Sequence, residues 1–191
     1  MIVIYGRREN ESDFGARQIA SAGVLTAMTV VTTIFTKIPI SIMQGYFNLG
    51  DTIILVAGVL FGGMTGAFTG AAGSAIADIL TGGYVFAPIS LIVKGLEGYI
   101  AGKLSKSADL CTKPSGKPGR RRFTPALITG ACVMIVGYFI AESTVLTLFD
   151  RAFGFAAAVA ELPFNLAQGG ISVILARLAI EGLKRSKIIQ F

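Results

Sequence analysis

Four ionisable residues stand where ionisable residues are costly. Asp51, Asp78, Lys94 and Glu97 fall within residues 45–102, a stretch that is otherwise long, apolar and rich in glycine. A charged side chain at bilayer depth costs roughly 3 kcal/mol or more, so four of them point to a polar pocket walled by tightly packed helices. Later in the chain Tyr138 and Glu142 fall four apart, flanked by Ser143 and Thr144, and Asn165, Gln168 and Ser172 share one side of a helix. With Asn48 these side chains supply hydrogen-bond donors and acceptors. Tyr46, Phe47, Tyr84 and Tyr138 supply flat faces for stacking, and Lys94, Glu97 and Glu142 set local charge. This is the chemistry of holding a small ring with a few paired polar groups. An ion pair between Lys94 and Glu97, three apart on one helix side, is equally consistent with the spacing.

Bond-breaking chemistry finds little support. The chain has no His and two Cys, Cys111 and Cys132. A Ser–His–Asp triad, a Cys–His pair and a His/Cys metal site are therefore excluded by counting, and no acidic motif has metal-binding spacing. No catalytic residue, metal or cofactor is expected. The glycines at 58, 62, 66 and 70 are not followed by the Gly-Lys-Ser/Thr of a phosphate loop, so ATP hydrolysis in this chain is not expected.

The positioning elements must be membrane helices. Of the 191 residues 53% are hydrophobic and 15% charged, with a mean hydropathy of +0.70, which is the composition of a polytopic membrane protein. The +6 net charge suggests nucleic acid only until its placement is considered. Fourteen of the 17 Lys and Arg lie in the N-terminal arm and first turn, in 103–122, and from Arg177 onward. That is the pattern of cytoplasmic membrane flanks. The expected organisation is an N-terminal arm over 1–15 and one six-helix membrane domain over 16–191, interrupted by the flexible basic loop 103–122. The start is too polar for a cleaved signal peptide.

In order, the first span covers about 16–38. Ala16, Ala20, Gly23 and Ala27 make one smooth side of it, suited either to internal packing or to docking another subunit. The basic arm and the basic loop should share one side of the membrane, so an even number of spans separates them. Residues 52–77 must then contribute two spans or none. Helices over about 48–61 and 65–81, turning at Gly62–Gly63, satisfy this, as does a re-entrant hairpin. A fourth helix covers about 86–103, opened by Pro88, and a fifth about 125–148. After an outer connector over 150–163, Pro163 opens the sixth. Every polar cluster falls at an outer helix end, as a pocket opening outward requires.

GYFNLGDTIILVAGVLFG, GSAIADIL, APISLIVKGLEGYIAG and LPFNLAQGGI, in this order, resemble the substrate-binding S component of energy-coupling factor (ECF) vitamin transporters. The resemblance covers about 16–183 and is strongest to members taking up hydroxymethylpyrimidine or pyridoxine. Riboflavin binders usually read Leu-Asp-Phe-Ser-Asp where this chain reads NLGD, and carry a Lys-Asn pair not found here after the third helix. The resemblance implies an all-α integral membrane protein with the six-helix S-component fold, both termini cytoplasmic, in a bacterial-type cell membrane. It implies a membrane scaffold (T) subunit docking on Ala16, Ala20 and Gly23, and two ATPase subunits that hydrolyse ATP on its behalf. It further implies that the loop holding Gln44–Phe47 gates the site and that Asn165 contacts the vitamin. The full candidate set is Tyr46, Phe47, Asn48, Asp51, Tyr84, Lys94, Glu97, Tyr138, Glu142, Asn165 and Gln168. An autonomous ion-coupled carrier using Asp51, Asp78 and Glu97 is the alternative, though no inverted repeat is evident.

Overall fold

The computed structural model describes residues 16–39, 45–111, 123–150 and 152–186. The N-terminal arm, Gln44 of the segment expected to gate the site and most of the basic loop lie outside the described residues. Among the described residues six α-helices follow one another: α1 (Ala16–Phe35), α2 (Gly50–Phe61), α3 (Gly63–Leu80), α4 (Ala87–Cys111), α5 (Thr124–Ile140) and α6 (Phe155–Arg185). A two-residue antiparallel ladder, β1 (Ile38–Pro39) with β2 (Tyr46–Phe47), joins α1 to α2.

Polarity is inverted relative to a protein built for water. Large apolar side chains cover the outside, with Phe35 84% and Leu148 83% exposed, while Asp51, Lys94, Glu97 and Gln168 are buried. Among the described residues the segments Gln18–Phe35, Thr124–Leu148 and Phe155–Arg185 are long and apolar enough to cross a membrane. At 1.5 Å per residue the 12-residue α2 spans only about 18 Å, less than the roughly 30 Å of a hydrocarbon core.

The glycine series explains how so short a helix is accommodated. At Gly62 (φ 100°) the chain leaves α2 and enters α3 directly. Such a φ favours a residue without Cβ. Contacts then pair positions equidistant from Gly62: a Cβ at Gly66 would meet the Gly58 Cα, and one at Gly70 the Ile54 side chain. The two helices therefore fold back on each other as a hairpin. On the other side of α3, Gly66 faces the Gly98 backbone and Gly70 the Lys94 backbone. Small residues allow this close approach, in which dispersion replaces the hydrophobic effect.

Four boundaries differ from expectation. α1 stops at Phe35 rather than 38, because Ile38–Pro39 is drawn into the ladder with Tyr46–Phe47, and a residue before proline disfavours helix. α4 continues to Cys111, about two turns beyond 103, because no Gly or Pro interrupts KLSKSADLC. α6 opens at Phe155, not Pro163, which lies inside it. The connector expected over 150–163 is thus largely the first two turns of α6. Similarly, α5 ends at Ile140 and passes into a π-helical turn (Ala141–Val145) and a 3₁₀ turn (Leu146–Leu148).

Two apolar clusters hold the bundle. One, with Leu55, Val59, Leu127, Ala176 and Ile180, fills the half nearer the basic loop. The other, Phe86, Leu146 and Phe153, sits at the opposite end. Because the Gly98 position abuts backbone rather than a flexible side chain, Gly98→Val should lower the thermal unfolding temperature of the detergent-solubilised protein. The cost expected of overpacking is about 1–3 kcal/mol or more. Gly170→Val, with open space around it, should not.

Candidate functional site

At the end where α3 finishes and α4 begins, the helices part around a narrow hollow of about 30 Å³. The β2 segment supplies Gly45, Tyr46 and Asn48. α4 supplies Phe86 (just before its first turn), Ser90 and Lys94; α5 and its π turn supply Tyr138 and Glu142; α6 supplies Glu161, Asn165 and Gln168. These follow helical spacing. Ser90, Lys94 and Glu97 lie on one stripe of α4, and Glu161, Asn165, Gln168 and Ser172 on one stripe of α6.

The floor is a network of hydrogen bonds. Lys94 Nζ donates to Asp51 Oδ1, and its distance to Glu97 Oε2 is 3.8 Å. Gln168 Nε2 donates to Asp51 Oδ2 at 2.7 Å, and Gln168 Oε1 accepts from the Asn48 backbone N–H at 2.8 Å. Asn48 Oδ1 in turn accepts from the Gly50 N–H at 2.9 Å. One side chain on each of α2, α4 and α6 is thereby tied to the segment that closes the hollow. The Lys94 ammonium also lies 5.3 Å from the centre of the Tyr138 ring, whose hydroxyl is 2.6 Å from Ser90 Oγ.

The roof is held as firmly. Tyr46 donates its phenol to Asp78 and carries the Lys37 ammonium 4.1 Å above its ring. Burial, and then the charge of Asp78, push the Tyr46 phenol above its ordinary pKa, so it remains a donor. Lys37 also bonds Thr81 Oγ1 at 2.7 Å, and Leu49 N–H donates to Thr36 Oγ1 at 2.9 Å. At the far wall Gly45 N–H donates to Glu161 Oε1 at 3.0 Å.

Seven of the eleven expected site residues line the hollow: Tyr46, Asn48, Lys94, Tyr138, Glu142, Asn165 and Gln168. Asp51 and Glu97 lie beneath it, bound to or beside Lys94. Phe47 faces the ladder with Ile38, and Tyr84 is 68% exposed and stands apart. Sequence reasoning missed Gly45, Phe86, Ser90 and Glu161. The i, i+4, i+7 spacing of Glu161 with Asn165 and Gln168 was the signal for the last. Ala16, Ala20 and Gly23 all lie on the exposed side of α1, and nothing approaches within 4 Å of a Cβ built at Gly23. Packing among the described residues therefore does not account for that smooth face.

Residues 13–185 match the family model described as "ECF-type riboflavin transporter, S component". The chain belongs to this family. Its S components are substrate-capture subunits rather than enzymes, and work with a T component and ATPases. This S component is accordingly a multi-pass membrane protein. A protein of Pyrococcus woesei, described as "Uncharacterized protein in gap 3'region", is 36% identical over 146 residues, covering 76% of this chain and 86% of that one. A solved structure described as "the S component of a bacterial ECF transporter" shares the fold with a TM-score of 0.65 at 18% identity. It spans 88% of this S component and 96% of its own chain.

The Asp51–Lys94 pair is buried, so removing one partner strands a charge, at a cost of roughly 3–5 kcal/mol. Lys94→Met should therefore lower the unfolding temperature sharply. Asp51→Asn with Lys94→Met should lower it by less than the two single changes summed, measured by thermal unfolding in detergent.

Proposed function

We infer that this S component captures a small, water-soluble, ring-containing vitamin or vitamin precursor from outside the cell. A scaffold subunit and two ATPase subunits then drive its release inward. Support comes from one observation above all: a hollow at one end of the bundle, lined by hydrogen-bonding groups from four elements, in a chain of the S-component family. Its volume of about 30 Å³ is well below the roughly 300–1,000 Å³ usual for ligand pockets, so the segment covering it must move aside to admit a ring. The hollow lies away from the basic loop, so basic flanks on the cytoplasmic side put its mouth outside. The same orientation gives six crossings with both termini inside a bacterial-type cell membrane.

Hydroxymethylpyrimidine or pyridoxine is the favoured substrate, since the wall carries many short polar groups around a few aromatic faces. Riboflavin is the second reading, favoured by the description of the family model. In either case Asn48, Asn165 and Gln168 hydrogen-bond the ring, Tyr46, Phe86 and Tyr138 flank it, and the Tyr46 segment gates entry. The exposed Ala16, Ala20 and Gly23 face of α1 receives the scaffold, since small residues let another helix approach closely.

Mass spectrometry of the small molecule that co-purifies with the detergent-extracted protein tests the capture role. A heterocyclic vitamin is expected, and proton- or sodium-driven uptake by this chain alone would overturn the reading. Asn165→Ala should weaken binding at least tenfold while the protein still folds; unchanged affinity would remove Asn165 from the site. Ala16→Trp with Ala20→Trp should abolish co-purification with the scaffold and spare vitamin binding.

A further inference from the structure

Two carboxyl groups in the wall of the hollow meet no cation among the described residues. Glu142 and Glu161 are 2% and 4% exposed, and their carboxyls interact directly across the gap between the π turn and α6. Among the described residues Lys94 is the only Lys or Arg lining the hollow, and it is engaged by Asp51 on the floor. Glu161 uses Oε1 to hold the Gly45 N–H. Glu142 Oε2 is buried without a hydrogen-bond partner among the described residues, and so is the Nδ2 of Asn165, one turn along α6 from Glu161. Buried polar groups are ordinarily satisfied, so an unfilled acceptor and an unfilled donor in one wall describe what a ligand must bring. The π turn is part of this geometry. Such turns are rare and cluster at functional sites, and this one carries Glu142 to the inside.

We propose that the Glu142, Glu161 and Asn165 wall recognises an aromatic ring bearing an amino group beside a ring nitrogen. The amine donates its N–H groups to the two carboxyls, and the adjacent ring nitrogen accepts from Asn165 Nδ2. Phe86 and Tyr138 stand alongside to contact the ring faces. Whether ionised or carrying a proton, a carboxyl still offers an oxygen to the amine. A ring edge with carbonyls on both sides of its N–H, as in a flavin, would instead point acceptors at acceptors. Pyridoxine has hydroxyl donors but lacks the amine-and-nitrogen edge. This assignment rests on the capture reading and narrows its substrate to an aminopyrimidine type.

The test is calorimetric titration of the full-length protein in detergent with four probes. They are 4-amino-5-hydroxymethyl-2-methylpyrimidine, its counterpart with the 4-amino group replaced by a carbonyl, pyridoxine and riboflavin. The amino compound should bind at least twentyfold tighter than the 4-oxo compound and tighter than the other two. Glu142→Gln, whose amide donates where the carboxylate accepts, should lose at least tenfold for the amino compound and narrow the preference over the 4-oxo compound. Should that variant not fold, the wild-type preference alone decides. Equal binding of the amino and 4-oxo probes, or tighter binding of pyridoxine or riboflavin, overturns this subsite and leaves the capture role standing. Binding of none of the four, with no small molecule co-purifying, overturns both.

Discussion

The bond between Lys94 and Asp51 is the point from which the rest of the architecture follows. Two opposite charges inside an apolar bundle are tolerable only if they meet and their remaining hydrogen-bonding capacity is filled. Gln168 fills it on the Asp51 side, and its own carbonyl is used by the Asn48 backbone. The network therefore fixes α2, α4 and α6 at one depth, together with the start of the segment that covers the hollow. Hydrogen bonds made where water is scarce are directional and hard to exchange, so this junction specifies register where lipid-facing apolar side chains cannot.

Around that junction the bundle divides into two kinds of packing. α2, α3 and α4 meet backbone to backbone through Gly58, Gly66, Gly98 and Gly102. α5 and α6 meet their neighbours through larger side chains such as Leu127, Met134 and Ile180. Pro163 lies in α6 between Glu161 and Asn165, and cannot donate to the carbonyl one turn back. The hollow thus opens between a close-packed glycine layer and a pair of helices joined by side chains.

Much of this was legible in the chain because the membrane restricts what a sequence can mean. Charges confined to flanks set the expectation of an even number of crossings, and the four-residue glycine spacing gave the tight packing of α2 against α3. Polar residues at common helix ends gave the hollow and seven of its lining side chains. What failed did so for local reasons. Pro163 reads as a helix start, because proline suits a first turn, yet α6 already runs from Phe155. Treating 150–163 as a connector then hid Glu161. Tyr84 offered an aromatic ring near the right sequence position, but the Thr81–Gly83 turn leaves it outside. The π turn at Ala141–Val145 has no sequence signature, and it decides where Glu142 points.

The glycine layer has a consequence for how such a protein diversifies. Where main chain presses on main chain there is no room for drift: almost any exchange at Gly66 or Gly98 disturbs the chassis itself. The opposing rim, formed by residues such as Glu142, Glu161 and Asn165, makes no comparable demand. A lineage can therefore retool its cargo by editing one half of the molecule while the other half stays frozen.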